Sequence, residues 1–311
     1  MKQKWWICPF LNQLIKDELM HNINYAHQHI LDEHDFLGCC LNCRRSLMII
    51  KPHVLGFYKS IKKHTAETRT ALPPSELYRL YQVLDDVAHL EVGDRLGEMI
   101  LTDPEISRAL PAIRSYYAAF FKIHETYLAR EILKAASPWN VLESSPLYSR
   151  YKALVENQVK AVHMDHNAVM AFIGCGPVPL SLILLNRFYG FRSIGLDTDA
   201  EAVTLAGRCV EHLGLEDGIS IVQGDESRLW ELQANAILVA ALAEPKSRIF
   251  ADLLAIEKKK GPVPVIYRTY TGMRAVLYRP VQPADIKGFK IVGQIEPTGR
   301  VNNTLVLLEP E

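Results

Sequence analysis

The chain divides by the period of its apolar residues. From Leu47 to Val162 they recur at helical spacing; from Val169 onward they gather in short continuous runs of strand length. In the first half, Leu77, Leu80, Leu84 and Val87 form one stripe behind Pro73-Pro-Ser-Glu, where Ser75 is the expected cap. Asp103 should cap a second helix with Pro104 at its first position, and Pro111 is expected to kink or restart it. Ile113, Tyr117, Phe120, Phe121, His124, Leu128 and Ile132 keep the helical period up to a stop at Ser137-Pro138, which makes most of these aromatics core. A last helix is expected from Tyr151 to Val162.

The second half alternates. Val169-Met-Ala-Phe-Ile173, Ser193–Asp197, Ile219–Asp225, Ala234–Leu242 and Gly261–Arg268 read as strands, with helices over Leu180–Phe188 and Pro245–Lys258. Ala234–Leu242 is nearly all apolar, as expected of a strand buried on both faces. Phe289–Ile295 and Asn303–Leu308, joined through a Pro297-Thr-Gly299 turn, read as an antiparallel hairpin. The expected organisation is an N-terminal extension over 1–50, a helical domain over 51–164 and a Rossmann-like α/β domain over 165–311, packed as one unit with a cleft between the last two.

Chemistry enters at the strand ends. Gly174 and Gly176 stand in the turn after the first strand, where a backbone without Cβ can lie close to a ligand; Cys175 and Pro177 complete that turn. Asp197 follows at the next strand end, about 20 residues on, where such folds grip a ribose hydroxyl, with Thr198 beside it. Gly224 and Asp225 close the third strand, and Ala240 lies where the fourth ends. Together these residues predict an adenosine ligand held across strand tips. Cys175 reads as a small filler rather than a nucleophile.

Charge and composition narrow the rest. The 35 basic and 35 acidic residues cancel, so no overall field draws nucleic acid or an anionic membrane. No apolar run reaches the ~18 residues of a bilayer span. The N-terminus does not read as a signal peptide, and the sparse, irregular cysteines suit a reducing cytoplasm. His34 with Cys39, Cys40 and Cys43 hints at a metal site but lacks a matching second ligand pair, so no metal is expected; a start at Met48 would also account for that segment. The residues leave oligomeric state open, a homodimer included.

A mostly parallel sheet closed by a hairpin, with Gly174-Cys-Gly-Pro and no third glycine, is the pattern of class I S-adenosylmethionine (SAM) enzymes rather than of NAD-binding domains. Beyond that, the chain resembles the nicotianamine synthase family, which includes bacterial enzymes of opine-metallophore biosynthesis. The resemblance is carried by Phe172–Leu180, by Ile237–Leu242 ending in Ala-Ala-Leu, and by Arg268-Thr-Tyr-Thr-Gly-Met-Arg-Ala-Val-Leu-Tyr278. It is carried also by Pro297–Val306, and by Glu125 with the Tyr148–Tyr151 cluster in the helical half.

The resemblance implies transfer of the 3-amino-3-carboxypropyl (aminobutanoyl) arm of SAM, as co-substrate, to the amine of an amino acid, with histidine the expected acceptor, and release of methylthioadenosine. It assigns Glu125 as the base that frees the amine and Tyr151 as its partner. Arg268 and Arg274 suit the substrates' carboxylates, and Tyr278 would line the same cleft. On residues alone, Glu125 reads first as a surface glutamate paired with Lys122 or Arg130 of its own helix, and the catalytic role comes with the resemblance. An ordinary methyltransferase and a non-catalytic SAM-binding regulator are the competing functions.

Overall fold

The computed structural model of the chain describes residues 36–64, 68, 72–90, 92–161 and 168–311, the side chains from position 46 on. The N-terminal cysteine–histidine cluster therefore lies outside the described side chains. Helix α1 (Phe36–Ile61) runs straight through the boundary expected at residue 50, and buries Ile50, Val54, Phe57 and Ile61 in one core. Next come α2 (Pro74–Ala88), α3 (Asp94–Leu101), α4 (Pro104–Lys134), α5 (Pro138–Glu143) and α6 (Tyr148–Ala161).

Two local expectations change. Ser75 is not the cap of α2: Pro73 holds that place, its carbonyl accepting from Glu76 N–H and Leu77 N–H, and Pro74 stands first in the helix. Nor does Pro111 break α4, which continues for 31 residues with Ile106, Leu110 and Ile113 anchored in the core on either side. One missing backbone bond near a helix start is outweighed by that burial. Asp103 does cap α4, accepting from Glu105 and Ile106 N–H at 3.0 and 3.2 Å.

The α/β half holds β1 (Val169–Ile173), α7 (Leu180–Tyr189), β2 (Arg192–Asp197), α8 (Ala200–His212), β3 (Ile219–Gln223), β4 (Ala236–Val239), α9 (Lys246–Lys260), β5 (Val265–Thr269), β6 (Phe289–Ile295) and β7 (Thr304–Pro310). They form one seven-stranded sheet, ordered β3-β2-β1-β4-β5-β7-β6. The first five strands pair in parallel, while β7 inserts antiparallel between β5 and β6. This is the class I SAM-dependent transferase architecture, and its switch point lies between β1 and β4, where strand order reverses. Alternation along the strands serves two layers: Met170 and Phe172 face α7 and α8, Ala171 and Ile173 face α9.

The halves interlock rather than abut. The helical core takes in Tyr270, Met273 and Val276 from the segment after β5, while Leu128, Ala129 and Ile132 at the far end of α4 join the sheet's core. Helix α4, about 46 Å long, thus passes from one core to the other. Glu125 sits at the handover, over the carboxyl ends of the strands.

Candidate active site

A cavity of about 460 Å³ opens at those strand ends, under a roof made by α4 and α6. Its floor is the glycine turn. Gly174 and Gly176 have φ of 79° and 71°, a left-handed conformation that costs other residues about 1 kcal/mol or more. A Cβ at Gly174 would come within 3.0 Å of the Ala243 side chain, so the turn also packs on the segment that follows β4. Asp197 is oriented by two backbone donors: Gly176 N–H at 2.8 Å to Oδ2 and Asp199 N–H at 3.0 Å to Oδ1. Both oxygens keep further lone pairs for a diol. The cradle and its acid therefore fit the ribose of an adenosine group.

The other expected nucleoside residues gather around them. Cys175, Pro177, Thr198, Gly224, Asp225 and Ala240 all line the cavity. Cys175 is buried, and burial pushes its thiol well above the ordinary range, which suits a filler and not a nucleophile. Asp225 accepts from Ser227 Oγ and N–H, which lowers its pKa. The neighbouring Glu226, not singled out from the sequence, is buried and meets Arg248 Nε at 3.1 Å.

Glu125 reaches down from the roof. Its Oε2 lies 2.6 Å from where a Cβ on Gly176 would be, and its Oε1 accepts from Tyr151 Oη at 3.3 Å. The surface-pairing alternative does not hold: Lys122 is taken by Asp199 at 2.8 Å and Arg130 by Glu201 at 3.0 Å, both acids lying at the start of α8. Loss of water around the carboxyl raises its pKa to about 8, with the Asp197 charge adding to the rise while Tyr151 and Arg268 oppose it. A carboxyl so poised exchanges protons readily with an amine.

Of the three residues expected on the substrate side, Arg268 and Arg274 for carboxylates and Tyr278 as cleft lining, the structure brings Arg268 to the cavity. Arg268 is 5% exposed, donates from Nη2 to Gln158 Oε1 and Ser181 Oγ at 2.8 Å each, and stacks 5.1 Å above the Phe172 ring. Among the described residues it has no carboxylate within ion-pair distance, so a cationic wall faces the cavity unneutralised; burial lowers its pKa to about 10. Arg274 and Tyr278 are not at the site. After Thr269 the chain turns into a 3₁₀ segment, Gly272–Val276, wedged against α3, where Arg274 Nε donates to Val301 O at 3.1 Å. Tyr278 packs on Tyr270, centroids 6.2 Å apart. Tyr270 itself lines the cavity.

The far end of the cavity, not anticipated from the sequence, is walled by Tyr117, Arg150, Tyr270 and Asn302. A buried network holds it. Asp85 receives both forks of Arg150 at 2.7 Å, Tyr81 Oη donates to Asp85 at 3.1 Å, and Asn302 Nδ2 approaches Tyr81 and Tyr117. Arg300, from the β6–β7 connection, also bonds Asp85. A buried aspartate inside an apolar helical stripe was the available signal. Among the described residues no group of three or more His, Cys, Asp or Glu is arranged to hold a metal, and no helix is long and apolar enough to cross a membrane.

The family model described as nicotianamine synthase protein matches residues 45–311. The fold superposes on MtNAS in complex with MTA and tNA with a TM-score of 0.77 and 33% identity, covering 84% of this chain and 97% of that one. A Glu-to-Gln variant of MtNAS in complex with S-adenosylmethionine gives 0.74 and 34%, over 82% and 98%. Nicotianamine synthase 2 of Arabidopsis thaliana is 29% identical over 188 residues, 55% of this chain and 57% of that protein. L-histidine 2-aminobutanoyltransferase of Pseudomonas aeruginosa is 25% identical over 141 residues, 45% and 53% respectively. The alignments span little more than half the length of these two curated relatives.

Proposed function

Because this chain belongs to the nicotianamine synthase family, we propose that it transfers the 3-amino-3-carboxypropyl group of SAM to the α-amine of an amino acid, histidine foremost, and releases methylthioadenosine. The product would be a precursor of a multidentate metal chelator, made by a cytoplasmic enzyme. The observation that carries this reading is Glu125: a desolvated carboxyl bonded by Tyr151, held over the glycine turn, with the nearby cations of its own helix engaged elsewhere. The relatives bound to S-adenosylmethionine and named for histidine support the choice of co-substrate and acceptor.

SAM supplies an electrophilic carbon next to a positively charged sulfur, and the carbon that reacts is the one the site aims at the incoming amine. Gly174, Gly176 and Asp197 would hold the nucleoside, and Arg268 the carboxylate of the transferred arm or of the acceptor. In its ionised form, which grows as pH nears the raised pKa of about 8, Glu125 would take the surplus proton of the acceptor's ammonium, while Tyr151 orients the carboxyl. The freed nitrogen then forms its bond to the arm's Cγ as the carbon–sulfur bond breaks, and the electron pair of that bond neutralises the sulfonium. Arg268 and the polar far wall would fix the acceptor, so that positioning contributes most of the acceleration.

The test is product analysis. Full-length protein incubated with SAM and each amino acid in turn should yield methylthioadenosine and an adduct one aminobutanoyl unit heavier, by mass spectrometry. S-adenosylhomocysteine as the nucleoside product would overturn the proposal in favour of methylation. Tight SAM binding with no product from any amino acid would favour a regulator.

A further inference from the structure

Lys246 is 2% exposed and stands at the first position of α9. Its Nζ donates to three carbonyls of one short segment: Ala240 O at 3.1 Å, Ala241 O at 3.0 Å and Ala243 O. An ammonium has three N–H groups, and here each has one acceptor, so the donor set is filled. That segment is the wall of the cavity between β4 and α9: Ala240, Ala241 and Ala243 line it, and the Ala240 and Ala243 side chains press on Gly174. Its backbone offers little regular bonding of its own, since the strand ends at Val239 and the helix begins only at Lys246. Ala240 N–H is tied to Ile173 O at 3.0 Å and Ala243 N–H to Ala240 O at 3.2 Å, and the buried ammonium adds an attraction that gathers three carbonyls which would otherwise repel one another.

We propose that Lys246 is a positioning residue for the nucleoside, fixing the Ala240–Ala243 wall against the glycine turn from the side opposite the cavity. This rests on the reading of the cavity as an adenosine site. Lys246 touches no substrate; it acts through the backbone that does. Burial draws its pKa down to about 8, with Glu244 opposing the shift, in keeping with an ammonium whose solvation comes from carbonyls instead of water.

The molecule carries its own control. Lys260, at the other and exposed end of α9, also donates to three carbonyls, Leu229 O at 2.9 Å, Trp230 O at 3.3 Å and Leu232 O at 2.8 Å, and none of those three residues lines the cavity. Lys246→Met and Lys260→Met should therefore both lower the melting temperature. Only Lys246→Met should weaken methylthioadenosine binding by calorimetry, at least tenfold, and raise KM for SAM more than it lowers kcat. Equal affinity in the two variants, or a loss confined to melting temperature, overturns the proposal. If Lys246→Met does not fold, Lys246→Gln, which keeps two N–H donors, takes its place; failure of both while Lys260→Met folds reduces Lys246 to a folding role and overturns it too. Wild-type protein that binds no methylthioadenosine refutes the adenosine site itself, a distinct result.

Discussion

The Glu125 carboxylate occupies the space in which a side chain on Gly176 would begin, its Oε2 lying 2.6 Å from the position of a Cβ there. The contact joins a residue of the roof helix to the floor turn, and it sets how wide the cavity can be at the point where chemistry is proposed. Real Cβ atoms do not approach an oxygen so closely, so position 176 must be glycine if Glu125 is to stay where it is.

Gly176→Ala tests this against Gly190→Ala. Both glycines have φ near 70°, but a Cβ at Gly190 meets nothing within 4 Å. Each substitution should cost about 1 kcal/mol of backbone strain. Only Gly176→Ala should also lose turnover, tenfold or more, because Glu125 is pushed off the glycine turn. Stopped activity assays beside thermal melts of the two variants make the comparison.

Glu125→Gln keeps the shape and removes the base. A general base contributes about 10²–10⁴-fold, so kcat should fall by at least about 100-fold while SAM affinity changes little; an unchanged kcat removes Glu125 from the mechanism. The same variant has a signature in stability. Folded Glu125 keeps its proton up to about pH 8, against 4.5 when exposed, so the folded state binds the extra proton between those limits. Stability contributed by the neutral carboxyl is full below pH 4.5 and is lost as pH rises through 8. Wild-type melting temperature should therefore decline across that window relative to Glu125→Gln, and the difference should level off above it.

Arg268→Lys retains a charge but not the planar fork that Gln158 and Ser181 hold in place. If Arg268 receives a substrate carboxylate, KM for SAM or for the amino acid should rise tenfold or more. The affinity for methylthioadenosine, which has no carboxylate, should stay within about twofold. Equal loss for both ligands would make Arg268 a structural residue only.

The Asp85 network gives a contrast between buried and exposed partners. Asp85→Ala strands the Arg150 guanidinium, whose side chain is 13% exposed, and should cost about 3–5 kcal/mol in denaturant unfolding. Arg300 bonds the same carboxylate but is 51% exposed, so Arg300→Ala should cost about 1 kcal/mol or less. Loss of the far wall in Asp85→Ala should also raise KM for the acceptor more than for SAM.

Much of the floor was legible because it is local. The glycine turn, Asp197 and Asp225 each follow a strand end within a few residues, and the sheet fixes where strand ends point. Arg274 and Tyr278 misled for the same reason reversed: they share one contiguous motif with Arg268, but a 3₁₀ turn wedged against α3 carries them beneath the helical half. Pro111 yields to core burial on either side of it, whereas Ser75 loses the cap to Pro73 because Pro74 suits the first helical position.

By itself the sequence determined the split into a helical and an α/β half, the run of strands in the second, the two backbone positions that need glycine, and the family to which the chain belongs, since period, turn chemistry and motif all live in neighbouring residues. Only the tertiary structure decided what surrounds Glu125. Its helix offered Lys122 and Arg130 as partners, and α8, more than 70 residues away in the chain, took both. A carboxyl's basicity depends on which charges and how much water surround it, and those are set by whatever packs across from it, which the order of residues along a helix does not contain.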